Sequence, residues 1–95
     1  MSSRDRPVRN PETILEPCQG GWAVLVNLDT AGAVALNPTA LLVWQLVDGR
    51  RTIAGIAAEV ATRFRDVPPH LVDDVAALLT GLSEEGLVGY TWAEQ

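Results

Sequence analysis

The stretch between Asn37-Pro38 and Asp48-Gly49 constrains this chain more than any other. Asn is a favoured N-cap and Pro is pre-organised for the first helical position, so a helix is predicted over Thr39 to Val47. Leu41, Leu42, Val43, Trp44, Leu46 and Val47 leave that helix apolar almost all round. A helix with no polar face has to be enclosed by the rest of its domain. The chain has 95 residues, one domain's worth, and a domain of that size buries only about 60–65% of its unfolded surface. One modest core around this helix is therefore expected, with little left over for a deep catalytic cavity. Asp48-Gly49 ends the helix in a tight turn.

What flanks the helix differs on its two sides. Upstream, Ile14-Leu15-Glu16, Trp22 to Asn27 and Ala33 to Leu36 are short runs rich in strand formers. Pro17 to Gly21 and Asp29 to Gly32 read as the turns between them, with Gly32 able to supply a positive φ. Downstream, Thr52 can cap a second helix with Ile53, Ile56, Ala57, Val60 and Phe64 on one face. Asp66-Val67-Pro68-Pro69 breaks it, and Pro69 suits the first turn of a third helix. Leu71, Val72, Val75, Leu78, Leu79 and Leu82 form its stripe, and Gly86 is its stop signal. The order predicts an α+β domain, winged helix-turn-helix-like, with a small three-stranded antiparallel sheet followed by three helices. Residues 1–12 read as a flexible N-terminal tail, 13–89 as the domain and 90–95 as a C-terminal tail. A last strand around Tyr90-Thr91-Trp92 is the variant of that reading. Trp44 is expected in the core and Trp92 at the surface.

The inventory of reactive groups is thin. The chain carries one histidine and one cysteine. Cys18 sits in a loop with no histidine nearby, which fits a reducing cytosol and excludes disulfide scaffolds and cysteine-based zinc clusters. His70 has only Asp73 and Asp74 close by, and acids in a helix's first turn are expected from the helix dipole alone. The carboxylates of Asp73, Asp74, Glu84 and Glu85 do not follow a calcium-loop or His-carboxylate pattern. No phosphate-cradling glycine motif is present. No catalytic residue, cofactor or metal is therefore predicted. No run approaches the ~18 apolar residues of a membrane span, and no apolar stretch follows the basic N-terminus as a signal peptide would require. A cytoplasmic location without membrane contact is the expectation.

Charge is unevenly placed. All seven basic residues are arginines at or before Arg65, against six acids in the same span. Residues 66–95 hold six acids and no base, within a formal net charge of −5. That third of the chain repels phosphate backbones and favours a basic or neutral partner. A winged-helix regulator acting on nucleic acid is thus the weaker alternative, because the third helix lacks the Arg, Lys, Asn or Gln a recognition helix needs. Peptide binding has two supports. Ala33-Val34-Ala35 would leave an edge strand unobstructed for an added strand. On a helical wheel, Leu71, Asp74, Leu78, Gly81 and Glu85 run down one flank of the third helix. A plain core with a solvated acidic face accounts for the same residues, and the pattern alone leaves both open.

The string LNPTALLVWQLVDGRRT at Leu36–Thr52, followed by DVAALLTGLSEEGLV at Asp74–Val88, resembles the PqqD family. Trp22 to Leu36 is similar to that family's hairpin, with Asn27-Leu28-Asp29 before the turn. The resemblance spans about residues 8–88. It implies a three-stranded sheet with three helices and a recognition element for ribosomally made, post-translationally modified peptides. Such an element binds the leader part of a precursor peptide as an added strand between the third strand and the third helix. It presents the rest to a modifying enzyme, such as a radical SAM enzyme, or to a leader peptidase or cyclase. Carried onto this sequence, that implies Ala33, Val34, Ala35 and Leu36 on the strand and Asp74, Leu78 and Gly81 on the helix, with Leu71 and Glu85 extending the flank. The family often has a bulky aromatic where this chain has Ala33 and Ala35, which implies a shallower wall or room for larger leader side chains. Asp74 would face a basic leader residue. The resemblance also allows a homodimer, or a purely structural subunit of a biosynthetic enzyme complex.

Overall fold

The structure, a computed structural model, describes residues 4–64, 66 and 69–91, with the backbone alone at Thr91. Its elements are β1 (Arg6–Arg9), β2 (Thr13–Pro17), a 3-10 turn (Gln19–Gly21), β3 (Ala23–Asn27), β4 (Ala33–Leu36), α1 (Pro38–Leu46), α2 (Ile53–Ala61), α3 (Leu71–Glu84) and β5 (Val88–Thr91). β2, β3 and β4 form an antiparallel sheet in that order, and β1 pairs antiparallel with β5 in a second, two-stranded sheet. The fold is α+β. Residues 1–3, the Val67-Pro68 part of the expected helix break, Trp92 and residues 93–95 lie outside the described residues.

α1 starts where its caps require. Asn37 Oδ1 accepts the Ala40 N–H at 2.8 Å, and Pro38 occupies the first turn. Val43, Trp44, Leu46 and Val47 are buried and Leu41 and Leu42 half-buried, so the helix packs most of its apolar surface into the domain. Thr52 Oγ1 caps α2 by accepting the Gly55 N–H at 3.0 Å. α2 presents Ile53, Ile56, Ala57 and Val60 to the core, and α3 presents Val75, Leu79 and Leu82. Leu25 and Leu36 close the core from the sheet side. α2 stops at Ala61, short of the expected Phe64, where Thr62 Oγ1 donates to the Glu59 carbonyl at 2.7 Å and Phe64 is left exposed. Val72 lies off the α3 stripe and is also exposed.

The N-terminal tail reading needs correction, and at the C-terminal end the expected last strand is present, starting earlier at Val88. Arg6–Arg9 is a strand paired with Val88–Thr91, in the register Pro7 to Tyr90 and Val8 to Gly89. Pairing across most of the chain leaves no local periodicity to read. Pro7 is fully buried, its carbonyl accepts the Gly49 N–H at 2.9 Å, and the Asp5 carbonyl accepts the Ile53 N–H at 3.0 Å. Arg9 finishes α1. Its Nε donates to the Val47 carbonyl at 2.7 Å, and its guanidinium lies 5.5 Å from the Trp44 ring centroid. A cation at the C-terminal end of a helix meets unpaired carbonyls and the negative end of the dipole.

Two turns carry the hairpin and the end of α3. In the β3–β4 turn the left-handed residue is Ala31 (φ 61°), not Gly32. Gly32 instead stands close to Thr30: its N–H donates to Thr30 Oγ1 at 3.2 Å, and a Cβ there would make a tight contact with that oxygen. At the end of α3 the Gly86 N–H donates to the Ser83 carbonyl at 3.0 Å and the Leu87 N–H to the Leu82 carbonyl at 2.9 Å. This is a Schellman motif with Gly86 at φ 75°. Asn27, 2% exposed, donates from Nδ2 to the Glu85 carbonyl at 3.1 Å and accepts the Asp29 N–H at 2.9 Å. Asn10 Nδ2 donates to the Gly86 carbonyl at 2.8 Å.

The two left-handed positions should respond oppositely to exchange. Gly86→Ala adds about 1–2 kcal/mol of backbone strain and places a Cβ 2.9 Å from Asn27 Nδ2. It is expected to lower unfolding free energy by about 2–3 kcal/mol once the Asn27 bond is disturbed. Ala31→Gly relieves strain and should raise it by about 0.5–1 kcal/mol. Urea melts of both variants check this pair.

The turn after α1 carries a pH dependence. Asp48 Oδ1 accepts the Arg51 and Arg50 N–H groups, each at 2.9 Å, and Oδ2 pairs with the Arg51 guanidinium at 2.9 Å. The Arg51 amide bond first, then that of Arg50, holds this carboxyl below its ordinary range. A carboxylate with a lowered folded-state pKa stabilises above its unfolded value and loses that contribution as pH falls through the folded one. The stability gap between wild type and Asp48→Asn should therefore be widest near neutrality and close as pH drops below the usual aspartate range. Melts across that range at fixed salt read it out.

Candidate functional site

Antiparallel pairing decides which backbone groups of a strand are free. The Asn27 N–H donates to the Gly32 carbonyl at 2.9 Å. With alternation, the bonded pairs continue as Leu25 with Val34 and Ala23 with Leu36. Ala33 and Ala35 therefore turn their N–H and C=O groups away from β3, toward an edge that no other described strand occupies. Their side chains lie on the face away from the helices and are exposed, while Val34 is half-buried and Leu36 is 0% exposed. Of the expected strand residues, Ala33 and Ala35 can offer a ligand their backbone. Val34 offers part of a side chain. The Leu36 side chain is enclosed in the core.

The opposite edge is blunted. The Leu28 N–H donates to the Glu12 carbonyl at 2.9 Å and the Cys18 N–H to the Trp22 carbonyl at 2.8 Å. Ile14 and Glu16 accordingly bond to β3, and Thr13, Leu15 and Pro17 face outward. Pro17 has no N–H to give, and the Thr13 N–H is already donated to the Asn10 carbonyl at 3.1 Å. Proline and occupied donors are what keep an edge from accepting another strand. β4 lacks both devices.

The two ends of α3 lie near opposite ends of β4. Glu85, at its C-terminal cap, brings Oε1 to 3.8 Å from where a Gly32 Cβ would stand, next to the start of β4. Leu71, at its first turn, lines a cavity of about 150 Å3 with Thr39, Val60, Phe64 and Asp66, just past the end of β4. An open depression of about 400 Å3 lies at the other end, lined by Thr30, Gly32, Glu84, Glu85 and Gly86. The flank expected from the wheel thus connects two hollows alongside the open strand. Leu71 and Leu78 are half-buried against the core, as is Val34. Asp74, Gly81 and Glu85 are exposed, and a Cβ on Gly81 would meet no atom within 4 Å. The floor of this groove is apolar and its helix side acidic, with Asp74, Glu84 and Glu85 and no base on that helix.

His70 and Cys18 stand elsewhere. His70 is exposed at the N-cap of α3, makes no side-chain cap and borders a hollow on the α2 side of the helix with Ala54, Ala57 and Ala61, which Leu71 also lines. Cys18 is exposed and its thiol lies 3.7 Å from the Glu16 carbonyl. Among the described residues no three His, Cys, Asp or Glu side chains gather where a metal ion could sit. No described helix is long and apolar enough to cross a membrane. The sequence reading missed which strand residues face the edge. The hydrogen-bond phase set by the turn decides that, and no single-strand pattern carries it.

Comparison with known proteins extends this geometry. A family model described as Coenzyme PQQ synthesis protein D (PqqD) matches residues 23–88. The PqqA binding protein of Pseudomonas fluorescens (strain Pf0-1) is 40% identical over 60 residues, which are 63% of this chain and 62% of that protein. The chain therefore spans less than two thirds of that relative. The PqqA binding protein of Pseudomonas syringae pv. syringae (strain B728a) is 36% identical over 73 residues, 77% of this chain and 73% of that protein. Two solved structures share the fold. TbiB1 in complex with the TbiA(beta) leader peptide has a TM-score of 0.75 at 17% identity, covering 90% of this chain and 99% of that one. Lasso peptide synthetase B1 complexed with the leader peptide has a TM-score of 0.73 at 25% identity, covering 88% and 98%. The matched residues run from the first position of β3 into β5 and include the open strand, all three helices and the Gly86 turn, and on that match the chain belongs to the PqqD family.

Proposed function

We propose that this chain is a non-catalytic adaptor that binds the leader segment of a ribosomally made precursor peptide as a fourth strand on β4. It then presents the remainder of that peptide to a modifying enzyme in the cytoplasm. The observation that carries the reading is the pair of outward-facing backbone groups at Ala33 and Ala35, lying along the Leu71–Glu85 flank of α3. Main-chain hydrogen bonds to an open edge give affinity, and pockets for alternate side chains give specificity. The relatives named for binding PqqA and the neighbours solved with leader peptides support it. The adaptor acts by raising the local concentration of the core peptide at its enzyme, so it needs no chemistry of its own. The acidic helix flank favours a basic leader residue near Asp74 and opposes a phosphate backbone.

Backbone recognition can be removed without touching the fold. Ala35→Pro deletes an N–H that points away from β3, so no ladder bond of the sheet is lost. The variant should keep its circular dichroism and bind the leader of its cognate precursor about tenfold or more weakly, since one hydrogen bond and close strand approach are lost together. Isothermal titration against wild type measures this. Unchanged affinity would overturn strand addition at this edge.

The electrostatic part is separable. Asp74→Asn should weaken leader binding by a factor of about five at low salt, consistent with an exposed pair worth ~0–1 kcal/mol. It should also flatten the salt dependence of the dissociation constant. Titrations of both forms over a salt series give the two slopes, and equal slopes would remove Asp74 from the site.

A further inference from the structure

An antiparallel sheet with one face on a core usually carries polar side chains on the other. This sheet does not. Val24 and Val26 of β3 point away from the helices and are half-buried. Trp22 and Leu28, at the two ends of β3, are 48% and 54% exposed. In register with them, one cross-strand row reads Ile14, Val26, Ala33 and the next reads Glu16, Val24, Ala35. Ile14 is 42% exposed, and Glu16 is the one charged residue in the two rows.

A strand added to β4 extends these rows, because neighbours across a sheet share a face. The ligand residue beside Val34 points toward α3 and Leu78. The ligand residues beside Ala33 and Ala35 point to the outer face. There each alanine projects only a methyl group, and the valines behind stand two strands, about 10 Å, from the added backbone. A long apolar side chain can lie across the alanine and reach them. Glu16 is three strands away, about 14 Å, so the outer rows offer that side chain no charge within easy reach.

We infer that the chain reads its peptide on both faces of the added strand. The groove takes one side chain, and the outer face takes two large apolar side chains, spaced i and i+2, across Ala33 and Ala35 onto Val26 and Val24. This rests on strand addition at β4. It defines the ligand as an extended segment with large apolar residues two positions apart, both on the parity opposite to the residue in the groove.

The test uses short peptides selected from a random display library on the immobilised full chain. The tightest is titrated into protein carrying labelled Val and Leu methyl groups. The expected result is a joint shift of the Val24, Val26 and Leu78 methyls, with large apolar residues two apart in the selected sequences. Serine at those two peptide positions should weaken binding about tenfold or more, the scale of one or more buried apolar side chains. The outward pair Ala33→Asp and Ala35→Asp should do the same with the circular dichroism unchanged. Shifts at Leu78 and the β4 amides with Val24 and Val26 silent, or equal affinity for the serine peptide, would overturn the two-face reading and leave strand addition standing. If neither a library peptide nor the cognate leader binds, strand addition fails, and this inference fails with it.

Discussion

The carbonyls that end α3 hold this fold in register. The Glu85 carbonyl receives Asn27 Nδ2, the Gly86 carbonyl receives Asn10 Nδ2, and the Leu87 carbonyl receives the Asn10 N–H at 3.0 Å. These three carbonyls follow the last helical residue, Glu84, and each is met by a donor from a segment distant in sequence. Here the partners come from β3 and from the segment after β1, so one helix terminus ties both sheets to α3. The left-handed Gly86 makes the meeting possible, since a side chain at that position would collide with Asn27.

Edge chemistry then gives the molecule a direction. A three-stranded sheet has two edges, and either could take another strand. Pro17 and the committed Thr13 N–H close the β2 side, while β4 leaves Ala33 and Ala35 unobstructed beside an acidic helix. The asymmetry of charge along the chain becomes an asymmetry in space. Arginines serve the α1 end, where Arg9 meets carbonyls and Arg51 meets Asp48. Acids line the side on which a ligand strand would lie.

Much of this is legible in the amino-acid sequence. The Asn37-Pro38 start, the all-apolar α1, the Thr52 cap, the α3 stripe at Val75, Leu79 and Leu82 and the Gly86 stop are local signals, each acting within a turn or two. The flank of α3 followed from helical period alone, because side-chain direction in a helix is a function of position. Less legible were the features that join distant segments. β1 has four residues, a buried Pro7 and a partner at the far end of the chain. The left-handed residue of the hairpin turn is Ala31, although Gly32 stands beside it, because the Ala31 N–H donates to the Asn27 carbonyl while the Gly32 carbonyl accepts the Asn27 N–H across the turn.

By itself the sequence determined the run of elements from β2 to α3, the largely buried α1, the acidic character of α3 and the family pattern, since these depend on neighbours a few residues apart. Only the tertiary structure decided which residues of β4 present hydrogen-bonding groups and which present side chains. A strand's pattern of apolar residues shows two faces but not the phase of its backbone bonds. That phase was set when the Asn27 N–H found the Gly32 carbonyl. It placed Leu36 in the core and left Ala33 and Ala35 at the open edge.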